Sequence, residues 1–181
     1  MPVTVQTRYT RTAMAFHWSL AVVMLAMLVV GWNLDTMGPG PLHTLLLNLH
    51  KLVGCLVLLL AAARLAWRVT HKPPTPHWSA PVWQLRLAGV VHAGLYLFLF
   101  AMPVTGILFT NYGNGLKIFG VQLPQFGDAP NDDLCEFFKR LHGFGLYALA
   151  ALIFVHVAAA CWHQLVLKDD TLKRMLPGRN P

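Results

Sequence analysis

Four long apolar stretches alternate along the chain with short segments rich in glycine, proline and charge. A helix needs about 20 apolar residues to cross the hydrocarbon of a bilayer, and each stretch reaches that length. The first covers about 13–32. The second covers about 42–67, after the Gly-Pro-Gly-Pro turn at 38–41. The third covers about 82–109, after a proline-rich linker, and contains Pro103. That proline predicts a kink, which neighbouring helices tolerate. The fourth covers about 134–167, and Asn131, Asp132 and Asp133 bring N-cap and helix-dipole chemistry to its start. The connection 111–130 is too polar to span, and its glycines, prolines and aromatics predict a segment lying on the membrane interface. The pattern predicts an all-α membrane protein, a four-transmembrane-helix bundle forming a single domain over 1–181.

Composition agrees. The chain is 56% hydrophobic and 12% charged, roughly half the charged share of soluble domains. The net charge of +7 comes from where the basic residues lie and is no nucleic-acid signal. Arg8, Arg11, Arg64, Arg68, Lys72, Arg86, Lys168, Lys173, Arg174 and Arg179 fall on the side of the termini and the 69–81 linker. Lys51, Lys117, Lys139 and Arg140 fall on the other side, so the 14 basic residues divide ten to four. The positive-inside rule then makes both termini cytoplasmic. Six tryptophans at or near span ends form the expected aromatic belt. The first apolar run lacks a small-residue cleavage site and reads as a span, not a removable signal. Cys55, Cys135 and Cys161 suggest no disulfide framework, and no C-x-x-C-H is present for covalent haem attachment.

Histidine changes the picture most. His17, His50, His92, His142, His156 and His163 lie inside the apolar stretches. An ionisable side chain in lipid is costly without a partner and marks function by default. His142 and His156 are 14 residues apart on one predicted helix. At 1.5 Å and 100° per residue that is about 21 Å along the axis and ~40° around it, so one face offers two ligands at two depths. Gly143, Gly145, Ala148 and Ala150 between them permit close approach of a flat macrocycle or another backbone. The plainer reading of any one such residue is an interhelical hydrogen bond; the pair favours haem or metal ligation. His50 is the natural partner of His142. His17 pairs with His156, although His163 matches its shallow depth better. His92 is an alternative ligand, a haem-propionate partner or a proton-handling residue at a quinone site. His163 reads as interfacial, and His43, His71 and His77, in or near loops, as solvated histidines.

With these positions in place the chain resembles the bacterial cytochrome b561 family of four-helix di-haem membrane proteins. The resemblance is carried by RYTRTAMAFHW at 8–18, LHKLVG at 49–54, AARLAWR at 62–68 and HAGLYLFLFAMPVTG at 92–106. LHGFG at 141–145, HVAAACWH at 156–163 and KDDTLKRMLP at 168–177 complete it. It implies two haem b groups, with His17 and His156 as axial ligands of the inner one and His50 and His142 of the outer one. It further implies residence in the bacterial inner membrane and electron exchange with the quinone pool. Ubiquinone is the expected electron partner. Oxidation of superoxide coupled to ubiquinone reduction is one activity found in the family. With both axial positions filled by imidazole, such a haem suits outer-sphere electron transfer. Lys51, Lys139 and Arg140 adjoin the two outer ligands and would either steer a small anion or neutralise haem propionates. A second expectation is a cytochrome b subunit anchoring a periplasmic dehydrogenase or hydrogenase through its outer loops. A haem-free metal or proton transporter is disfavoured, because the spans carry no Asp or Glu deep in the hydrocarbon.

Overall fold

The computed structural model describes residues 8–74, 81–126 and 130–178. His77, Trp78, Asp128 and Arg179 lie outside the described residues. The four apolar stretches form four helices: α1 (Arg11–Thr36), α2 (Pro41–Thr70), α3 (Val82–Tyr112) and α4 (Asp132–Trp162). Each is long and apolar enough to cross a membrane. Their starts follow from local chemistry. Thr10 caps α1, its hydroxyl accepting from the Ala13 N–H at 3.2 Å. Pro41 occupies the first turn of α2, where a missing N–H costs nothing. Asn131 caps α4 by accepting from the Leu134 N–H at 3.0 Å, with Asp132 and Asp133 in the first turn as the dipole favours. The α3 helix runs unbroken through Pro103.

Helix α3 packs along α4, α1 along α2, and α2 against α3, whereas α1 and α4 touch little. The outward faces carry Val22, Val29, Leu59, Val90, Leu97 and Phe154, all exposed, as an apolar solvent demands. The buried core is small. Leu20, Met24, Val57, Ala61, Leu99 and Leu149 form it.

The two ends of the bundle are finished differently. At one end, Lys117–Ile118 and Val121–Gln122 pair antiparallel around Phe119 and Gly120. Both turn residues have positive φ, 48° and 83°, the requirement of a type I′ hairpin turn. The strained Phe119 is held from α2, where the Asn48 side-chain oxygen accepts its N–H at 2.7 Å. The chain then returns beneath the hairpin over Asn111, which is 1% exposed. Asn111 donates to the Pro124 carbonyl at 2.9 Å and accepts from the Phe126 N–H at 2.6 Å, so both polar atoms of a buried amide have a partner.

At the opposite end, where the described chain starts and finishes, α4 runs on through a π-helical turn, His163–Leu167, which Lys168 closes in a left-handed conformation (φ 53°). The following segment folds back over the bundle. The Trp18 indole donates to the Met175 carbonyl at 2.8 Å, and Tyr9 N–H to the Arg174 carbonyl at 3.2 Å. The Arg174 guanidinium reaches the Pro74 carbonyl. His163 Nδ1 lies 2.5 Å from the Asp169 carboxylate, so the histidine expected at the interface anchors this strap. Burial alone would raise the Asp169 carboxyl; hydrogen bonds from Thr171 and His163 outweigh it and hold the group below its ordinary value.

Candidate functional site

The fold brings the intramembrane histidines together in two clusters, one toward each end of the bundle. At the hairpin end, His50 of α2 faces His142 of α4 with ring centroids 6.3 Å apart. At the terminal end, His17 of α1 faces His156 of α4 at 6.1 Å. His92 of α3 joins this second cluster, 5.3 Å from His156. Leu149 is seven residues from each α4 histidine and belongs to the buried core. The two clusters are therefore separated by an apolar plug, about 10 Å of helix on either side of Leu149.

The hairpin-end pair lines a cavity of about 450 Å³, within the range of cofactor pockets. Gly31, Gly54, Gly106 and Gly143 line it, two of them as beds for the rings. A Cβ on Gly31 would stand 3.3 Å from His50 Cε1, and one on Gly106 would stand 3.2 Å from His142 Cε1. Gly143 lines the cavity, with open space where its Cβ would be. Gly145 differs: a Cβ there would meet Met102 Sδ, so that glycine lets α3 approach α4. At the mouth stand Lys51, Lys139, Arg140, Glu136 and Asp35. Arg140 is paired with Glu136 at 2.8 Å, which offsets part of its charge. His43, expected to be solvated in or near a loop, lies in the first turn of α2 and lines this cavity, half-buried.

The rings are held unequally. His142 Nδ1 lies 3.0 Å from the Met102 carbonyl and 3.1 Å from the Thr105 hydroxyl. A carbonyl only accepts, so Nδ1 carries the proton and Nε2 keeps its lone pair. His50 Nδ1 is buried without a hydrogen-bond partner among the described residues. His17 Nδ1 lies 3.0 Å from the Arg64 guanidinium, which only donates. That contact puts the proton of neutral His17 on Nε2. Arg64 also sits over the Tyr96 ring at 5.3 Å, with Arg68 at 5.8 Å. Sequence reasoning counted Arg64 only as a charge and gave Thr105 no role; neither has a local signature, because each partner is 37 or more residues away.

The facing pairs fit a metal with two axial imidazoles. Imidazole nitrogen binds a metal at about 2.0 Å, and two such bonds in line plus the half-width of each ring span roughly 6 Å. The apolar cavity with glycine beds and the unpartnered His50 nitrogen suit a flat cofactor between α2 and α4. At the terminal end the spacing fits equally, and the ligand role requires Arg64 to release His17 Nδ1.

The family model described as Prokaryotic cytochrome b561 matches residues 8–178. "Cytochrome b561 homolog 2" of Escherichia coli K12 is 33% identical over 174 residues, covering 93% of this chain and 91% of the relative. "Cytochrome b561 homolog 1" of the same organism is 30% identical, covering 95% and 98%. A Yersinia pestis protein named "Probable superoxide oxidase CybB" is 28% identical, covering 95% and 97%. The four membrane-crossing helices, the facing intramembrane histidines and these matches converge: the chain belongs to the prokaryotic cytochrome b561 family, multi-pass membrane cytochromes that bind haem b.

Proposed function

We propose that this protein is a di-haem electron carrier of the bacterial inner membrane that oxidises superoxide on the periplasmic side and passes the electrons to ubiquinone. The observation that carries the di-haem reading is the pair of facing imidazole pairs, 6.3 and 6.1 Å apart, at two levels of one helix. His50 and His142 would hold one haem at the hairpin end, and His17 and His156 a second at the terminal end. When bound, haem supplies one-electron iron chemistry. The protein's own part is to present Nε2 of each ligand, to exclude water with the core around Leu149, and to set the charge at each end.

The positive-inside count makes the hairpin end periplasmic. Lys51 and Lys139 at the cavity mouth then face the compartment from which a small anion would arrive. Each superoxide loses one electron and leaves as dioxygen; two such events and two protons convert one ubiquinone to ubiquinol. The Yersinia relative's name supports superoxide as the donor. The plainer role of Lys51, Lys139 and Arg140 is to neutralise carboxylates of the bound cofactor, and one experiment separates the two.

Stopped-flow reduction by superoxide is compared between wild type and the triple variant Lys51→Gln, Lys139→Gln, Arg140→Gln at several salt concentrations. Steering predicts a several-fold slower reaction in the variant and a wild-type rate that falls with salt, since exposed charges are screened beyond roughly 8 Å at physiological ionic strength. Haem content stays normal. Equal rates and equal salt slopes contradict steering, and loss of haem supports the neutralising role.

A further inference from the structure

Helix α3 carries the run Met102-Pro103-Val104-Thr105-Gly106, to which the electron-transfer reading assigns no task. One carbonyl, one hydroxyl and one glycine of this run converge on the His142 ring. The Met102 carbonyl lies 3.0 Å from His142 Nδ1 and the Thr105 hydroxyl 3.1 Å from the same atom. Thr105 is 7% exposed. Its single proton has a shorter destination, the Ala101 carbonyl at 2.7 Å. The Thr105 oxygen therefore has a lone pair free for Nδ1–H, and that proton is shared between two acceptors. Gly106 completes the arrangement. Its missing Cβ leaves room for the ring edge, and Nε2 is the ring nitrogen farther from that point, at 4.0 Å against 3.5 Å for Nδ1.

We propose that this turn of α3 is the positioning cradle of His142: the Met102 carbonyl and the Thr105 hydroxyl hold Nδ1–H while Gly106 admits the ring, so that Nε2 is presented as a fixed, electron-rich base. The inference rests on His142 being an axial ligand. A histidine whose far nitrogen donates to an acceptor is both oriented and made a stronger donor, and second-shell hydrogen bonding is one of the levers that sets a haem's potential. A stronger imidazole donor favours the ferric state. The hairpin-end haem thus owes part of its potential to Thr105, a residue that touches neither iron nor substrate. The cradle has no counterpart at His50, whose Nδ1 lacks a partner among the described residues. Control of this haem is therefore one-sided, exerted from α3.

The test is a spectroscopic redox titration of the haem-loaded protein with Thr105→Val, which keeps the shape and removes the hydroxyl, and Thr105→Ser, which restores it. With Val, both haems stay bound. At a fixed ambient potential the ferric-to-ferrous ratio of the hairpin-end haem falls about threefold to tenfold, where tenfold corresponds to 59 mV for one electron. The terminal-end haem is unchanged, and Ser returns the ratio to within twofold of wild type. A ratio within twofold of wild type in the Val variant overturns the proposal. Gly106→Ala supplies an independent readout by electron paramagnetic resonance. A methyl group 3.2 Å from His142 Cε1 rotates the ring and shifts one of two low-spin signals; two unshifted signals overturn the proposal even where the Val variant is poorly folded. His142→Ala separates this idea from the one beneath it. If that variant keeps both haems, the ligand reading fails. If it loses one haem while Thr105→Val leaves the potential flat, only the cradle fails.

Discussion

The two histidine clusters share a geometry and differ in what surrounds it. At the hairpin end, His142 is locked by a carbonyl and a hydroxyl, glycines bed both rings, and a cavity of about 450 Å³ opens beside them. At the terminal end, three imidazoles crowd together and a guanidinium reaches one of them. Matching ring separations therefore do not make matching sites. An acceptor behind one ligand favours an oxidised metal in front of it. A cation beside the other favours a reduced one, because a positive charge opposes removal of an electron. If both ends bind haem as proposed, the difference tilts the path downhill from the hairpin end, where an electron would enter, to the terminal end.

That contrast can be broken at either end. The largest expected effect comes from the α4 ligands themselves. His142→Ala should cost the hairpin-end haem and leave the other, and His156→Ala should do the reverse, each halving the haem-to-protein ratio. Difference spectra of the two variants should add up to the wild-type spectrum. Either variant retaining both haems with unaltered spectra would remove that ligand from the assignment.

Arg64→Gln should sharpen the comparison at intermediate size. Deleting a cation that lies 3.0 Å from His17 makes the terminal-end haem easier to oxidise, by tenfold or more in its ferric-to-ferrous ratio at fixed potential, since unit charges even about 12 Å apart interact by ~1.4 kcal/mol at an effective dielectric near 20. The hairpin-end haem should not move. Equal shifts at both ends would mean that Arg64 acts through the whole bundle and not through His17.

The smallest effect concerns the strap over the terminal end. Asp169→Asn removes the charged carboxylate beside His163 and should destabilise the segment by less than about 1 kcal/mol, read as faster proteolysis within 168–178. The sign with pH follows from the Asp169 carboxyl, which sits below its ordinary value of 3.8 in the folded protein. Its contribution is fully present above pH 3.8 and is lost as pH falls through the lower folded value. Wild type and variant should therefore differ at neutral pH and converge in strong acid; a gap that persists there would assign the strap's stability to other contacts.

The helices were legible because length and hydropathy suffice to mark a span, and Asn131 with its following aspartates marks the start of α4. The juxtaposition of His50 with His142 follows from their positions along the spans, whereas depth alone favours His163 over His156 as the neighbour of His17, and the resemblance to the family is what points to His156. Other features depend on contacts the chain makes only after folding. The hairpin at 117–122 was hidden because its turn uses Phe119 at positive φ, where Asn-Gly or Asp-Gly would have announced it. Thr105 inside α3 looks like an ordinary helical threonine until His142 arrives from α4. Trp18 reads as an interfacial aromatic, and its bond to the Met175 carbonyl joins residues 157 apart. His43 lies at the very start of the second apolar stretch, and its place in the cavity wall depends on neighbours from other helices that the sequence does not show.

The central claim is that one chain holds two haems, each between two imidazoles. A pyridine haemochrome assay on purified protein of known concentration, with the resting visible spectrum recorded on the same sample, tests it most directly. Two haems b per chain and a wholly low-spin spectrum are predicted. One haem per chain, or a high-spin band at rest, would contradict the account.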